Sequence, residues 1–145
     1  MVRELLFSGL LLAMSVLIHA TVLTQLFRRS SRWPALASIG FFSSTWQMIK
    51  IAWWIILAHL AEVVVWGCFY GWKGIFPDYT TAAYFSIVTY TTVGYGDVLV
   101  GEEWRLLAGV EALTGLLMCG WSAGFFFSMV NQRAVGQTGE PRRQG

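Results

Sequence analysis

Three apolar stretches, residues 5–27, 49–70 and 104–130, constrain this 145-residue chain more than any other feature. A helix that crosses the ~30 Å hydrocarbon core of a bilayer takes about 20 apolar residues, and each stretch is at least that long. With 56% of its residues hydrophobic and 12% charged, the chain has too much apolar surface for one small soluble domain to hide. The sequence therefore predicts an all-α membrane protein with three transmembrane helices. The first stretch reads as a retained helix and not a cleaved leader. Ile18 fits a cleavage motif poorly, and the apolar run continues through Val22 and Leu23.

Charge sets the orientation. Lysine and arginine in short loops favour the cytoplasm. Arg28, Arg29, Arg32 and Lys50 lie between the first and second spans, and Arg133, Arg142 and Arg143 follow the third. Both segments are expected inside. Residues 71–103 carry Lys73 against Asp78, Asp97, Glu102 and Glu103 and are expected outside, with the amino terminus. A net charge of +2, spread over termini and loops, leaves no footprint for nucleic acid, and the apolar spans make membrane lipid the expected surroundings. Residues 28–48 read as a cytoplasmic linker whose part 32–46, with Pro34 and Gly40, runs along the interface into the second helix. Residues 132–145 read as a loosely ordered cytoplasmic tail with no sensor domain. Cys68 and Cys119 sit inside apolar runs without partners and read as packing residues.

The segment between the second and third spans is built differently. Pro77 and Asp78 make a helix start, and 79–89 then reads as a helix roughly 16 Å long, about half a bilayer. Such a helix dips in without crossing. Irregular backbone at that depth is tolerated only where it is buried in protein or lines water. The return path, "TVGYGD" at 92–97, holds Gly94 and Gly96, whose backbone freedom lets successive carbonyls turn the same way. A row of oxygens on one axis is a cation site. One strand per chain makes one wall, and a closed ring demands several copies about a rotation axis.

Residues 89–97, "TYTTVGYGD", resemble the selectivity-filter signature of the pore-loop potassium channels. The resemblance covers about 49–131: outer helix 49–70, pore loop 71–103 and inner helix 104–130. "AHLAEVVVW", "EWRLLAGVEALTGLLMCGWS" and His19 in "LIHA" are similar to short bacterial ion-channel proteins with one extra amino-terminal helix, which implies a bacterial inner membrane. The family's filter is a ring of backbone carbonyls from four chains. By resemblance, the chain is a potassium-selective homotetramer. Carbonyls of Thr92, Val93, Gly94 and Tyr95, with the Thr92 hydroxyl, would replace potassium's hydration shell, and Gly96 completes the filter. The ligand implied is potassium in that filter, with no organic cofactor. The chain departs from better-known members in having Tyr84 and Phe85 where many carry a tryptophan pair, and Val88 where some carry Glu. In similar channels the filter aspartate is held from the pore helix. Here Tyr84 occupies the matching place, and its hydroxyl is expected near 2.7 Å from Asp97.

Ionisable groups inside a membrane are costly and call for an explanation. Glu62 and Glu111 fall at matching depth in the second and third spans, with His59 one turn from Glu62. Hydroxyls of Ser86, Thr89 and Thr91 on the pore helix are candidate partners. Three readings stay open for His59, Glu62 and Glu111: hydrogen-bonded packing behind the filter, a proton-sensing network, or a metal site. His19 reads as an isolated polar contact between helices. Trp72 and Trp104, with Trp33 and Trp46, read as interfacial belts. Gly115, Gly120 and Gly124 have a packing reading and a hinge reading, with Gly115 the best hinge candidate. Enzyme motifs such as His-Glu-x-x-His or Gly-x-Ser-x-Gly are missing, so no catalysis is expected. The competing function is a channel-like adaptor or regulatory subunit that does not conduct.

Overall fold

A computed structural model describes residues 2–30 and 41–135. It contains four α-helices: α1 (Val2–Ser30), α2 (Phe41–Trp72), α3 (Tyr79–Tyr90) and α4 (Arg105–Val135), with a 3-10 turn at Glu102–Trp104. No strand occurs among the described residues. Three helices, α1, α2 and α4, are long and apolar enough to cross a membrane. The 12 residues of α3 span about 18 Å, so it is the half-length element.

Helix ends differ from the expected bounds by a few residues, for local reasons. The second helix begins at Phe41 instead of 49, because no proline or glycine interrupts the chain between Gly40 and Gly67. The third begins at Arg105, after the 3-10 turn, and continues to Val135. The interfacial segment 32–46 is thus helical from Phe41 on, whereas its part 32–40, with Trp33, lies outside the described residues, as does the tail beyond 135.

Two helix ends share one hydrogen-bond pattern. At the end of α2, the Ile75 amide donates to the Tyr70 carbonyl at 3.1 Å and the Gly74 amide to that of Gly71 at 3.0 Å, with Gly74 at φ 64°. This is the Schellman cap, which requires a left-handed residue and takes glycine for it. At the end of α3, the Val93 amide donates to the Val88 carbonyl at 3.0 Å and the Thr92 amide to that of Thr89 at 2.9 Å. Here the left-handed residue is Thr92, at φ 59°. A β-branched residue opposes that conformation, so strain is held at this junction.

α2 and α4 pack on α3, and α1 packs on α2 and α4. On α1, Ser8, Leu11, Ser15, His19, Leu23 and Leu26 form one buried stripe, and Trp66 of α2 donates its indole N–H to Ser15 at 3.1 Å. Two apolar clusters follow. The first joins Leu11, Trp66, Phe69, Phe85, Leu107 and Met118, and the second joins Leu23, Leu26, Ile51, Ile55 and Met129. Along α1, α2 and α4 alike, a polar layer separates the two. Cys68 and Cys119 are free and exposed in the single chain.

Candidate functional site

Pro77 and Asp78 start α3 as the sequence demands. Asp78 is its N-cap, accepting from the Thr81 amide at 2.7 Å and the Thr81 hydroxyl at 2.9 Å. The backbone N–H bond holds the Asp78 carboxyl below the usual aspartate range. From that cap α3 runs to Tyr90, and the loop 92–97 returns along it.

Along this loop the backbone turns left-handed at every second residue, with φ 59° at Thr92, 57° at Gly94 and 77° at Gly96. Val93 and Tyr95 between them have ordinary negative φ. Alternating the sign of φ turns successive carbonyls of an extended chain to the same side, whereas along a regular strand they point alternately to opposite sides. All residues from Thr91 to Asp97 are exposed in the single chain, Tyr95 at 71%. One copy therefore presents this backbone on an open face. The Tyr84 hydroxyl of α3 donates to Asp97 Oδ2 at 2.7 Å, the distance expected for a charge-assisted bond. That bond draws the Asp97 carboxyl below its ordinary range.

Behind α3 lie the buried ionisable groups, in two separate sets. Glu111 is fully buried, with Oε2 accepting from the Tyr70 hydroxyl at 2.6 Å and Oε1 at 2.6 Å from Ser86 Oγ. Ser86 Oγ also reaches the Val63 carbonyl at 3.0 Å. A serine has one hydrogen for these two contacts, and a carbonyl only accepts. A neutral Glu111 that donates to Ser86, while Ser86 donates to Val63, satisfies all three contacts.

Glu62, also fully buried, accepts from the Tyr90 hydroxyl on Oε2 and meets His19 Nδ1 at 2.8 Å on Oε1. His59 does not bond Glu62; it reaches Tyr90 at 3.0 Å and Ser122 at 3.1 Å. His19 is thus not an isolated contact, because α1 packs it directly on the carboxylate. Of the hydroxyls offered by the pore helix, Ser86 reaches a carboxylate, whereas Thr91 bonds the Ile87 carbonyl at 2.7 Å. Tyr70, Tyr90 and Ser122 were not among the expected site residues, although the polar stripe Ser8, Ser15, His19 on one face of α1 signalled a buried polar seam.

Gly115 has a packing role. A Cβ there would overlap the Tyr90 carbonyl oxygen, so α4 passes directly against the end of α3. The helix continues unbroken through this position. Gly120 and Gly124 have no atom within 4 Å of an added Cβ in the single chain.

A family model described as an ion channel matches residues 53–132, more than half of the 145 residues. No curated protein and no solved structure matches the chain. The matched stretch runs from within α2, through α3 and the 92–97 loop, into α4. A half-length helix and an irregular return loop between two long apolar helices are what a pore-loop unit consists of. This chain is therefore a membrane protein of the pore-loop ion channel family, with α1 lying outside the matched unit.

Proposed function

We propose that this ion channel is potassium-selective and works as a four-fold homotetramer. The observation that carries the reading is the alternation of backbone sign at Thr92, Gly94 and Gly96 along an exposed strand. Carbonyls turned to one side replace a cation's hydration shell only when other copies complete the ring. Thr92, Val93, Gly94 and Tyr95 would hold potassium through their carbonyls, with the Thr92 hydroxyl as the last ligand and Gly96 shaping the strand. The strained conformation of Thr92 fits this role. Glycine would relieve the strain but remove the hydroxyl. The carboxy-terminal end of α3 carries partial negative charge, and beside the filter it favours a cation.

By the positive-inside rule, residues 28–48 and the carboxy-terminal segment face the cytoplasm and residues 71–103 face outside. This reading calls for potassium in the filter and no organic cofactor. Reconstitution into liposomes with a potassium or a sodium gradient tests selectivity. Potassium flux well above sodium flux is expected, and equal flux overturns the carbonyl-ring reading. A chain that assembles without conducting would instead be the adaptor. Native mass measurement in mild detergent should give four copies, and a lone monomer or dimer overturns the tetramer.

A further inference from the structure

Five side chains drawn from all four helices close a ring of hydrogen bonds where α3 ends. His19 meets Glu62 Oε1 through Nδ1 at 2.8 Å and Ser122 Oγ through Nε2 at 2.9 Å. Ser122 Oγ meets His59 Nε2 at 3.1 Å, and His59 Nδ1 meets the Tyr90 hydroxyl at 3.0 Å. That hydroxyl returns to Glu62 Oε2 and closes the ring. His19 and Glu62 are fully buried and Ser122 nearly so.

Each contact takes one hydrogen between its two heavy atoms. Tyr90 and Ser122 bring one each, and two neutral imidazoles bring one each. With Glu62 ionised, four hydrogens face five contacts. Two lone pairs are then pressed together, and the ring carries a negative charge inside the membrane, where charge is costly. One further proton cures both faults. On Glu62, or as the second N–H of His19 or His59, it completes all five bonds at zero net charge. A sixth hydrogen would set two donors head to head and make the ring positive. Hydrogen-bond count and charge therefore select the same state.

The neighbours leave this balance intact. From α4, Cys119 and Glu111 lie within electrostatic reach of Glu62 or Tyr90, and the Trp121 ring lies 5.6 Å from that of His19. Glu111 belongs to the Tyr70–Ser86 set, whose own hydrogen count is met by a neutral carboxyl. α1 contributes His19, α2 contributes His59, Glu62 and Tyr70, and α3 contributes Tyr90. His19, His59 and Glu62 place ligand-type atoms within 4.8 Å of one another, but their atoms are already spent on the ring. The proton is the ligand that fits without breaking it.

We propose that the ring is a proton-binding site holding one shared proton between Glu62 and His19. While that proton is bound, Tyr90 at the base of the loop is fastened to α1, α2 and α4. Losing the proton opens the ring at one contact and loosens the support of the 92–97 strand. α1, outside the family match, has its role here, because it supplies the imidazole that closes the ring. The effect on conduction rests on the channel reading above, whereas the proton site does not.

The test is solid-state NMR of the full chain in liposomes with 15N-labelled histidine, titrated from acid to alkaline pH. A single event that shifts both imidazoles together is expected. Glu62→Gln, whose amide fills the carboxyl's place without titrating, should abolish that event, and Glu111→Gln should leave it in place. Two independent histidine titrations in the wild type overturn the site, and this result needs no variant to fold. Persistence of the event in Glu62→Gln also overturns it. Stoichiometric zinc on the purified protein, with both imidazoles in metal-bound positions, overturns it in favour of a His-His-Glu metal centre. Potassium flux in the same liposomes should fall across the same pH step in the wild type and stay flat in Glu62→Gln. A shared event with pH-independent flux overturns the coupling alone.

Discussion

The two faces of α3 use polar atoms in opposite ways. In front, the 92–97 loop leaves its backbone on an open face and holds a left-handed threonine. Among its side chains, Asp97 is anchored to α3 by one hydroxyl. Behind, both oxygens of Glu62 and of Glu111 are bonded at zero exposure, by side chains of the same chain. The front exposes its main chain in the single copy, and in the proposed tetramer other copies would complete it. The back puts its chemistry in side chains and is complete. Substitutions in the front should therefore act on conduction, and those that alter the buried side-chain hydrogen bonds behind should act first on stability.

The largest separation between the two is expected from Gly94→Ala. Its φ of 57° opposes a Cβ by about 1–2 kcal/mol, with nothing crowding the position in the single chain. Potassium-selective flux should be lost while membrane insertion holds and thermal stability falls by no more than that strain. Unchanged potassium-over-sodium selectivity would place the selective element elsewhere. Thr92→Gly sharpens the same point in reverse. Relieving the left-handed threonine should raise stability by about 1 kcal/mol, yet lower selectivity if the hydroxyl is a ligand. Thermal unfolding and paired flux measurements on one preparation separate the two effects.

Gly115→Ala is the next largest and acts where the two faces meet. The added methyl overlaps the Tyr90 carbonyl, which is backbone and cannot turn away as a side chain can. Pushing α4 from the end of α3 should cost about 1–3 kcal/mol, read as a lowered unfolding midpoint. If the residue serves as a hinge instead, the same variant stiffens α4, leaves the midpoint unchanged or raised, and alters only opening.

Much of the front was legible in the sequence and much of the back was not, for a physical reason. Asp78 as N-cap, the half-length helix and the Tyr84–Asp97 bond depend on residues close along the chain and on a motif that fixes their frame. Thr92 escaped because its left-handed backbone comes from the way α3 is capped, and a β-branched residue gives no warning of it. Behind α3, the carboxylates could be placed by depth, but their partners could not. Glu62 and His59 sit one turn apart, which suggested a pair, yet each bonds to other helices. Ser122 meets His19 across 103 residues of chain, so only the packing of α1 on α4 brings them together. Spacing along one helix says which side chains share a face, and it is silent on what faces them.

A smaller effect tests the proton inventory of the back. Glu111→Ala leaves the Tyr70 hydroxyl without its acceptor, one unmet group costing about 1–3 kcal/mol, whereas Ser86 keeps the Val63 carbonyl. Glu111→Gln keeps a neutral acceptor and donor in place and should stay near wild-type stability. If Gln destabilises as much as Ala, the carboxyl is ionised in the folded chain, and the neutral assignment fails.

The smallest effect belongs to the one side-chain bond of the front. Tyr84→Phe removes only the hydroxyl that donates to Asp97 Oδ2, and both groups are accessible to water in the single chain, so the fold should be unaffected. What changes is the titration of Asp97. Its carboxyl lies below the ordinary range first because of the Tyr84 hydrogen bond, which favours the charged form. A depressed value means that the bond is fully formed above the ordinary aspartate value of about 3.9 and is lost as the pH at that face falls through the lowered value. Removing the hydroxyl abolishes that bond and should move the protonation of Asp97 to higher pH. Flux in the variant should then respond to moderate acid at the loop face, through faster inactivation or altered ion occupancy, before the wild type does. An identical acid response in both proteins would mean that Asp97 is held by another group, and Trp104 and Arg105, at the start of α4, are the residues to substitute next.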